Sequence, residues 1–259
     1  MTRVQIAESV RRARIGSGVA DRAGLRRLRR RSSRRHNRSV PSTCEVCGGR
    51  SDLIPAVGDV LRCPYCTDER PFVRPPLLVV TGAAGVGKST VCARLAGTIP
   101  GAVLLDADVF AEDLISVVPP NQDYPAFWRS MMRLAHEVAQ NNLVVVYFSV
   151  MLPEQVLANS DVLSYFDSVH FLCLACPPDV LRARLAGRVG SGAAAAGQLT
   201  ARIEVWLDFN SALVAAASEI PTATVVDAGR TIDQVEHDVR NWLNAHLHPR
   251  GALWTDSTA

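Results

Sequence analysis

The sequence predicts an α/β protein: a three-layer domain built on a five-stranded parallel sheet, preceded by a small cysteine module and a basic N-terminal arm. Three observations predict it. From residue 77 onward, apolar strand-like runs alternate with helix-like segments, the pattern of a parallel sheet covered by helices on both faces. The first of these runs feeds directly into the glycine-rich octet Gly82-Ala83-Ala84-Gly85-Val86-Gly87-Lys88-Ser89, which opens a helix. Just upstream lie two Cys-x-x-Cys pairs separated by fifteen residues.

Composition supports a sizeable core, since 48% of the 259 residues are hydrophobic and 20% are charged. No apolar run reaches the roughly 18 residues that a membrane-spanning helix needs, so no membrane association is expected. The net charge of +3 conceals an asymmetry. Residues 1–40 carry thirteen arginines against Glu8 and Asp21, a balance of +11 that leaves −8 for the rest. A basic arm on an acidic body suggests a polyanionic partner such as RNA, DNA or an acidic protein surface. A solubilising tail, an unused upstream start codon or a transit peptide would also give an arginine-rich, acid-poor start. Of the seven cysteines, Cys92, Cys173 and Cys176 lie in apolar segments, where cysteine behaves as a small hydrophobe. That usage points to a reducing, cytoplasmic setting.

Taken in order, residues 1–40 form the arm, with a helical pattern over 6–28. Residues 41–74 form the cysteine module. The short proline-rich stretch 70–76 leads into the first strand, so the module is expected to pack on the domain that follows. That domain covers 75–250, and 251–259 is a tail. The expected strands are 77–81, 102–105, 143–150, 169–175 and 222–226. The expected helices are 88–97, 124–141, 154–166, 178–187, 199–218 and 231–247, the last capped by Thr231. The low-complexity segment 190–197 is the natural tip of a lid.

The octet matches the phosphate-binding pattern G-x-x-x-x-G-K-[ST], the P-loop. Lys88 is the only lysine in the chain, although the composition otherwise favours arginine throughout. An ammonium is a compact point charge that fits inside a tight loop, whereas a guanidinium is a broad planar fork. Residues Gly82 to Ser89, with Thr90 behind them, are the candidate cradle for ATP. Backbone N–H groups of Gly85 to Lys88 would hold the β-phosphate, Lys88 would bridge the β- and γ-phosphates, and Ser89 would bind Mg²⁺.

Asp106-Ala107-Asp108 ends the second strand. Carboxylates at i and i+2 point the same way from an extended segment, at the carboxyl edge of the sheet where α/β folds bind ligands. One can hold the Mg²⁺ shell while the other accepts the proton of an attacking hydroxyl. The third strand lacks the terminal acids of a mechanical ATPase, which favours a kinase. Arg184 and Arg188 share a helix face at the entry to the lid segment, suited to a transferring phosphoryl group.

These residues carry a resemblance. From 77 to about 247 the chain resembles the P-loop small-molecule and nucleotide kinases, a group that includes shikimate, gluconate and adenylate kinases and chloramphenicol phosphotransferase. Asp106-Ala-Asp108 is similar to the D-x-D of shikimate kinase, which implies Mg²⁺ support by Asp106 and acceptor binding by Asp108. Arg184-Leu-Ala-Gly-Arg188 is similar to the R-x-x-x-R at the lid of adenylate kinases. Asp227-Ala-Gly-Arg230 is similar to the adenine-flanking loop after the last strand, which implies Arg230 as a nucleotide contact. The glycine-rich shikimate-binding segment is not evident, so the acceptor does not transfer with the resemblance. The acceptor is expected over 109–141, where Trp128, Arg129 and Arg133 are the most ligand-like residues; core packing for the tryptophan and solvent exposure for the arginines is the plain alternative.

Cys44-Glu-Val-Cys47 and Cys63-Pro-Tyr-Cys66 match the spacing of a structural Zn²⁺ site and resemble a zinc ribbon. A redox reading of Cys-Pro-Tyr-Cys would need a βαβ context that about 35 residues cannot supply, and it leaves Cys44 and Cys47 unexplained. The sequence thus points to an ATP-dependent kinase acting on a small-molecule hydroxyl or a nucleotide. Two alternatives stay open: a nucleic-acid-associated P-loop NTPase or polynucleotide kinase docked through ribbon and arm, and an assembly protein that uses zinc and ATP as structure.

Overall fold

The computed structural model describes residues 43–51, 54, 56–58, 60–72, 74–107, 109–110, 124–139, 141, 143–187 and 196–247. The expectations placed on the arm, Asp108, Arg188, the lid segment through residue 195 and the tail lie outside the described residues.

The hydrophobic core is organised on the two faces of one sheet. Strands β4 (Pro76–Gly82), β5 (Ala102–Asp106), β6 (Val144–Ser149), β7 (Ser168–Ala175) and β8 (Ala223–Asp227) pair in the order β5-β6-β4-β7-β8, every neighbour parallel. Strand β4 is central, and Leu77 to Val80 are buried on both faces, which is why it reads as an uninterrupted apolar run rather than an alternation. The alternation appears instead in what each side chain meets. Leu78 and Val80 join the core beneath α1 (Lys88–Leu95), α5 (Pro178–Ala186) and α7 (Ile232–Leu247). Leu77 and Val79 join the opposite core, under α2 (Tyr124–Ala139), α3 (Pro153–Leu157) and α4 (Ser160–Leu163). The long helix α6 (Ala196–Ser218) contributes Ile203 and Leu207 to the first core and Leu213 and Ala217 to the second. The expected strands agree with this sheet to within two residues.

One expected helix is corrected. The segment 154–166 is two short helices, α3 and α4, broken at Asn159. This residue is buried with φ −96° and ψ 53°, and its amide donates to the Gln155 carbonyl at 3.0 Å. Asparagine offers the backbone a local alternative to the helical ladder, and here that alternative wins. Thr231 caps α7 as expected: its hydroxyl accepts from Gln234 N–H at 3.4 Å, while Gln234 Oε1 accepts from Thr231 N–H at 3.2 Å.

The cysteine module contains three very short antiparallel strands, β1 (Ala56–Val57), β2 (Val60–Arg62) and β3 (Glu69–Pro71). It shares a core with the sheet: Ile54, Leu61 and Phe72 are buried among residues of β4, α2 and α4. Tyr165 donates its hydroxyl to the Ile54 carbonyl at 2.7 Å, and Arg74 donates to the Phe166 carbonyl at 2.7 Å.

His136 of α2 lies in this seam, its ring 4.8 Å from those of both Phe72 and Tyr165. Burial lowers it from the ordinary 6.5 to about 4. An unfolded chain therefore takes up a proton near pH 6.5 that the folded protein refuses until about pH 4. Its contribution is fully present above pH 6.5 and is lost as pH falls, by up to about 3 kcal/mol. Urea unfolding at pH 7 and pH 4.5 should show a smaller loss in His136→Leu than in the wild type; equal losses would contradict this assignment.

Candidate functional site

The loop between β4 and α1 is shaped by what glycine permits. Gly85 and Gly87 adopt φ +90° and +104°, the left-handed region that side chains disfavour. Gly82 has a packing reason: a Cβ there would stand 2.7 Å from the Leu174 carbonyl oxygen of the neighbouring strand. The loop thus presses against β7 as it runs into the start of α1. No acidic residue occupies the first turn of α1, so the positive end of the helix dipole is left for an anion.

Lys88 is 6% exposed and folds back across the loop. Its ammonium donates to the carbonyls of Gly82 at 2.8 Å and Ala83 at 3.1 Å. Ser89 and Thr90 follow on the exposed side of the first turn. Behind the loop, Thr81 donates its hydroxyl to the Met151 carbonyl at 2.6 Å and accepts from Met151 N–H at 3.2 Å. That reciprocal pair fixes the chain leaving β6 to the end of β4. Sequence reasoning passed over Thr81, although a threonine closing an otherwise apolar strand was the available signal.

A cleft of about 360 Å³ opens beside the loop. Gly85, Val86, Gly87 and Thr90 line one side; Arg184, Ala228, Arg230, Ile232 and Val235 line the other. The structure therefore brings Gly85, Val86 and Gly87 of the octet, with Thr90, to one place with Arg184 and Arg230. Arg184 donates to the carbonyls of Ala228 at 2.7 Å, Arg230 at 3.3 Å and Gly229 at 3.5 Å. Its guanidinium holds the loop after β8 like a clasp. That loop is further set by Asp227, whose Oδ1 accepts from Gly229 N–H at 2.8 Å, and by the ion pair of Arg230 with Asp238. Ile232 and Val235, which close the apolar wall, were expected only as ordinary helix positions.

Asp106 ends β5 and is half-buried. Burial and then the Asp106 charge push the Cys92 thiol on α1 up to about 11, so this carboxylate acts on the second turn of the same helix whose first turn carries Ser89. Among the acceptor-side candidates, Trp128 is 1% exposed and packs edge-on to Phe127 and Tyr147, and Arg129 forms an ion pair with Asp161 of α4. The plain alternative for Trp128 holds: it is core.

The four module cysteines converge. Their sulfurs all lie within 4.8 Å of one another, with Cys44–Cys66 and Cys47–Cys63 at 3.7 Å. Four sulfurs bonded at about 2.3 Å to one tetrahedral ion must stand about 3.8 Å apart, so the set fits Zn²⁺. Backbone N–H groups of Gly49 and Tyr65 donate to the sulfurs of Cys47 and Cys63, each at 3.4 Å. The cluster divides its charge unequally: the Cys44 thiol is lowered to about 7, chiefly by the Cys47 backbone N–H, while Cys47 and Cys66 are raised, so the fit to a metal rests on the sulfur geometry.

A parallel sheet with a P-loop after its central strand and a nucleotide-sized cleft beside that loop defines a P-loop nucleotide-binding protein. The chain belongs to the AAA domain family, which matches residues 77–257. No curated protein matches it. Among solved structures it is similar to a sugar kinase from Janibacter sp. HTCC2649, at 20% identity over 66% of this chain and 95% of that one, TM-score 0.47. It is also similar to a gluconokinase from Sinorhizobium meliloti 1021, at 16% identity over 67% and 94%, TM-score 0.47. A shikimate kinase from Bacteroides thetaiotaomicron matches at 17% identity over 66% and 97%, TM-score 0.44.

Proposed function

We propose that this protein is an ATP-dependent kinase that moves the γ-phosphoryl group of ATP to a hydroxyl of a small molecule or nucleotide. The observation that carries the reading is the cleft in which the glycine loop, Arg184 and the loop after β8 meet, with Lys88 buried behind that glycine loop. Its polar end suits a triphosphate and its apolar wall, Ile232 and Val235, suits a base.

In this reading the N–H groups of the loop and the α1 terminus bind the β-phosphate. Lys88 exchanges its carbonyl partners for phosphate oxygens and offsets charge that builds up during transfer. In the same reading Arg184 and Arg188 offset part of that developing charge. Ser89 and Asp106 are the residues to hold Mg²⁺, which would neutralise phosphate charge when bound. Asp108 orients the acceptor and takes its hydroxyl proton as the new O–P bond forms; the bond from the γ-phosphorus to the bridging oxygen breaks and ADP leaves. Cys44, Cys47, Cys63 and Cys66 hold structural Zn²⁺ in a closed set with no position for substrate.

Asp108→Asn should abolish transfer from γ-labelled ATP, by roughly 100-fold or more, with ATP affinity nearly unchanged. Full activity in that variant would remove Asp108 from the mechanism. The +11 charge of residues 1–40 favours an additional polyanionic partner, so short RNA ends belong among the acceptors tested.

A further inference from the structure

We propose that the cysteine module is a positioning element for α2, the helix that follows the acceptor-side segment, and that metal held by Cys44, Cys47, Cys63 and Cys66 fixes this helix through Phe72 and His136. Only the description of that side as the acceptor side rests on the kinase reading.

The argument starts from what the module cannot do alone. Its strands have two, three and three residues, too few to be stable by pairing. Its shape must come from the cysteine site and from the surface it sits on. The two are joined. Arg70 of β3 donates to the Thr43 carbonyl at 3.1 Å, beside Cys44, and the Cys63 N–H donates to the Asp68 carbonyl at 2.8 Å. Both knuckles are thereby tied to the strand that runs into Phe72.

Phe72 is 4% exposed and stacks against His136, which is itself 1% exposed and in contact with Tyr165 and Phe166. Tyr165 in turn donates to Ile54 of the module. Phe72 is thus the wedge that closes the seam between α2 and the turn that follows α4, and it is held in place by chain that leaves the cysteine site. The nucleotide side is built differently: α1 and α7 belong to the other core, which contains no module residue among those described. Release of the module should therefore loosen α2 and α4 while sparing the cleft.

Hydrogen exchange on the full zinc-loaded chain tests this, comparing loaded protein, chelator-treated protein and Phe72→Leu, which keeps all four thiols and most of the apolar bulk. Amides of α2 should exchange at least about tenfold faster after chelation, with those of α1 and α7 within about twofold. Phe72→Leu should reproduce the α2 acceleration with one zinc per chain retained and with unchanged ADP affinity. Unaltered α2 exchange on chelation, equal acceleration of α1 and α7, acceleration by chelation but not by Phe72→Leu, or protein purified without zinc would each overturn the proposal. None of these readouts needs turnover, so a chain that proves not to be a kinase can still pass or fail this test.

Discussion

Lys88→Ala is expected to weaken Mg·ADP and Mg·ATP binding by roughly 100-fold and to abolish phosphoryl transfer, since two charge-assisted hydrogen bonds at about 1.5–3 kcal/mol each are lost. The ammonium is buried and already inside the loop, bonded to the Gly82 and Ala83 carbonyls. It therefore needs only to trade partners when a phosphate enters, and no long exposed side chain has to be ordered first. Alanine leaves the two carbonyls without that donor and removes the fixed positive charge of the loop. Lys88→Arg should fail almost as completely, because a planar fork cannot occupy the space of a point charge between these carbonyls. Calorimetric titration with Mg·ADP checks both variants. Affinity within threefold of the wild type would show that the loop is not the phosphate site.

Arg184→Ala carries the second large effect. Its guanidinium joins the carbonyls of three successive residues, Ala228, Gly229 and Arg230, that form the far wall of the cleft. Removing it leaves partly buried carbonyls short of donors, at about 1–3 kcal/mol, and frees the loop that sets the width of the nucleotide site. Nucleotide affinity should fall by about tenfold for that reason alone. If the proposed kinase reading holds, transfer should fall further, because that reading assigns the same group to offset developing phosphoryl charge. Arg184→Lys should rescue little, as one ammonium cannot span three carbonyls. Stopped-flow binding of a fluorescent ATP analogue separates the two parts. Wild-type affinity with lost transfer would make Arg184 purely catalytic, and wild-type values for both would remove it from the site.

Much of this architecture was legible because it rests on local rules. The β4 run, the octet and the helix after it follow from apolar patterning and glycine chemistry, and the Cys-x-x-Cys pairs follow from ligand spacing. Apart from the break at Asn159, whose amide bonds Gln155 only four residues back, what was missed depends on contacts distant in sequence. The break at Asn159 is a choice between the helical ladder and a side-chain bond, which the apolar pattern of 154–166 does not record. The clasp of Arg184 on residues 228–230 joins segments 44 to 46 positions apart. The sequence marked Arg184 as cationic and near the lid, but could not show that its partners include carbonyls. Trp128 and Arg129 looked alike as candidate ligands; burial against Tyr147 and pairing with Asp161 separate them from a free binding surface. Phe72 drew no notice as one aromatic in a proline-rich linker, yet it joins the module to the sheet.

The most direct measurement incubates the full chain with γ-labelled ATP and Mg²⁺ against nucleosides, nucleotides, sugar acids, aminoglycosides and short RNA ends, with Lys88→Ala as control. Label on one acceptor class with the wild type, and on none with the variant, is the expected result, and it names the substrate class. Label released only as inorganic phosphate, or retained on ATP with every acceptor, would contradict the kinase reading and leave the cleft as a nucleotide switch or structural site.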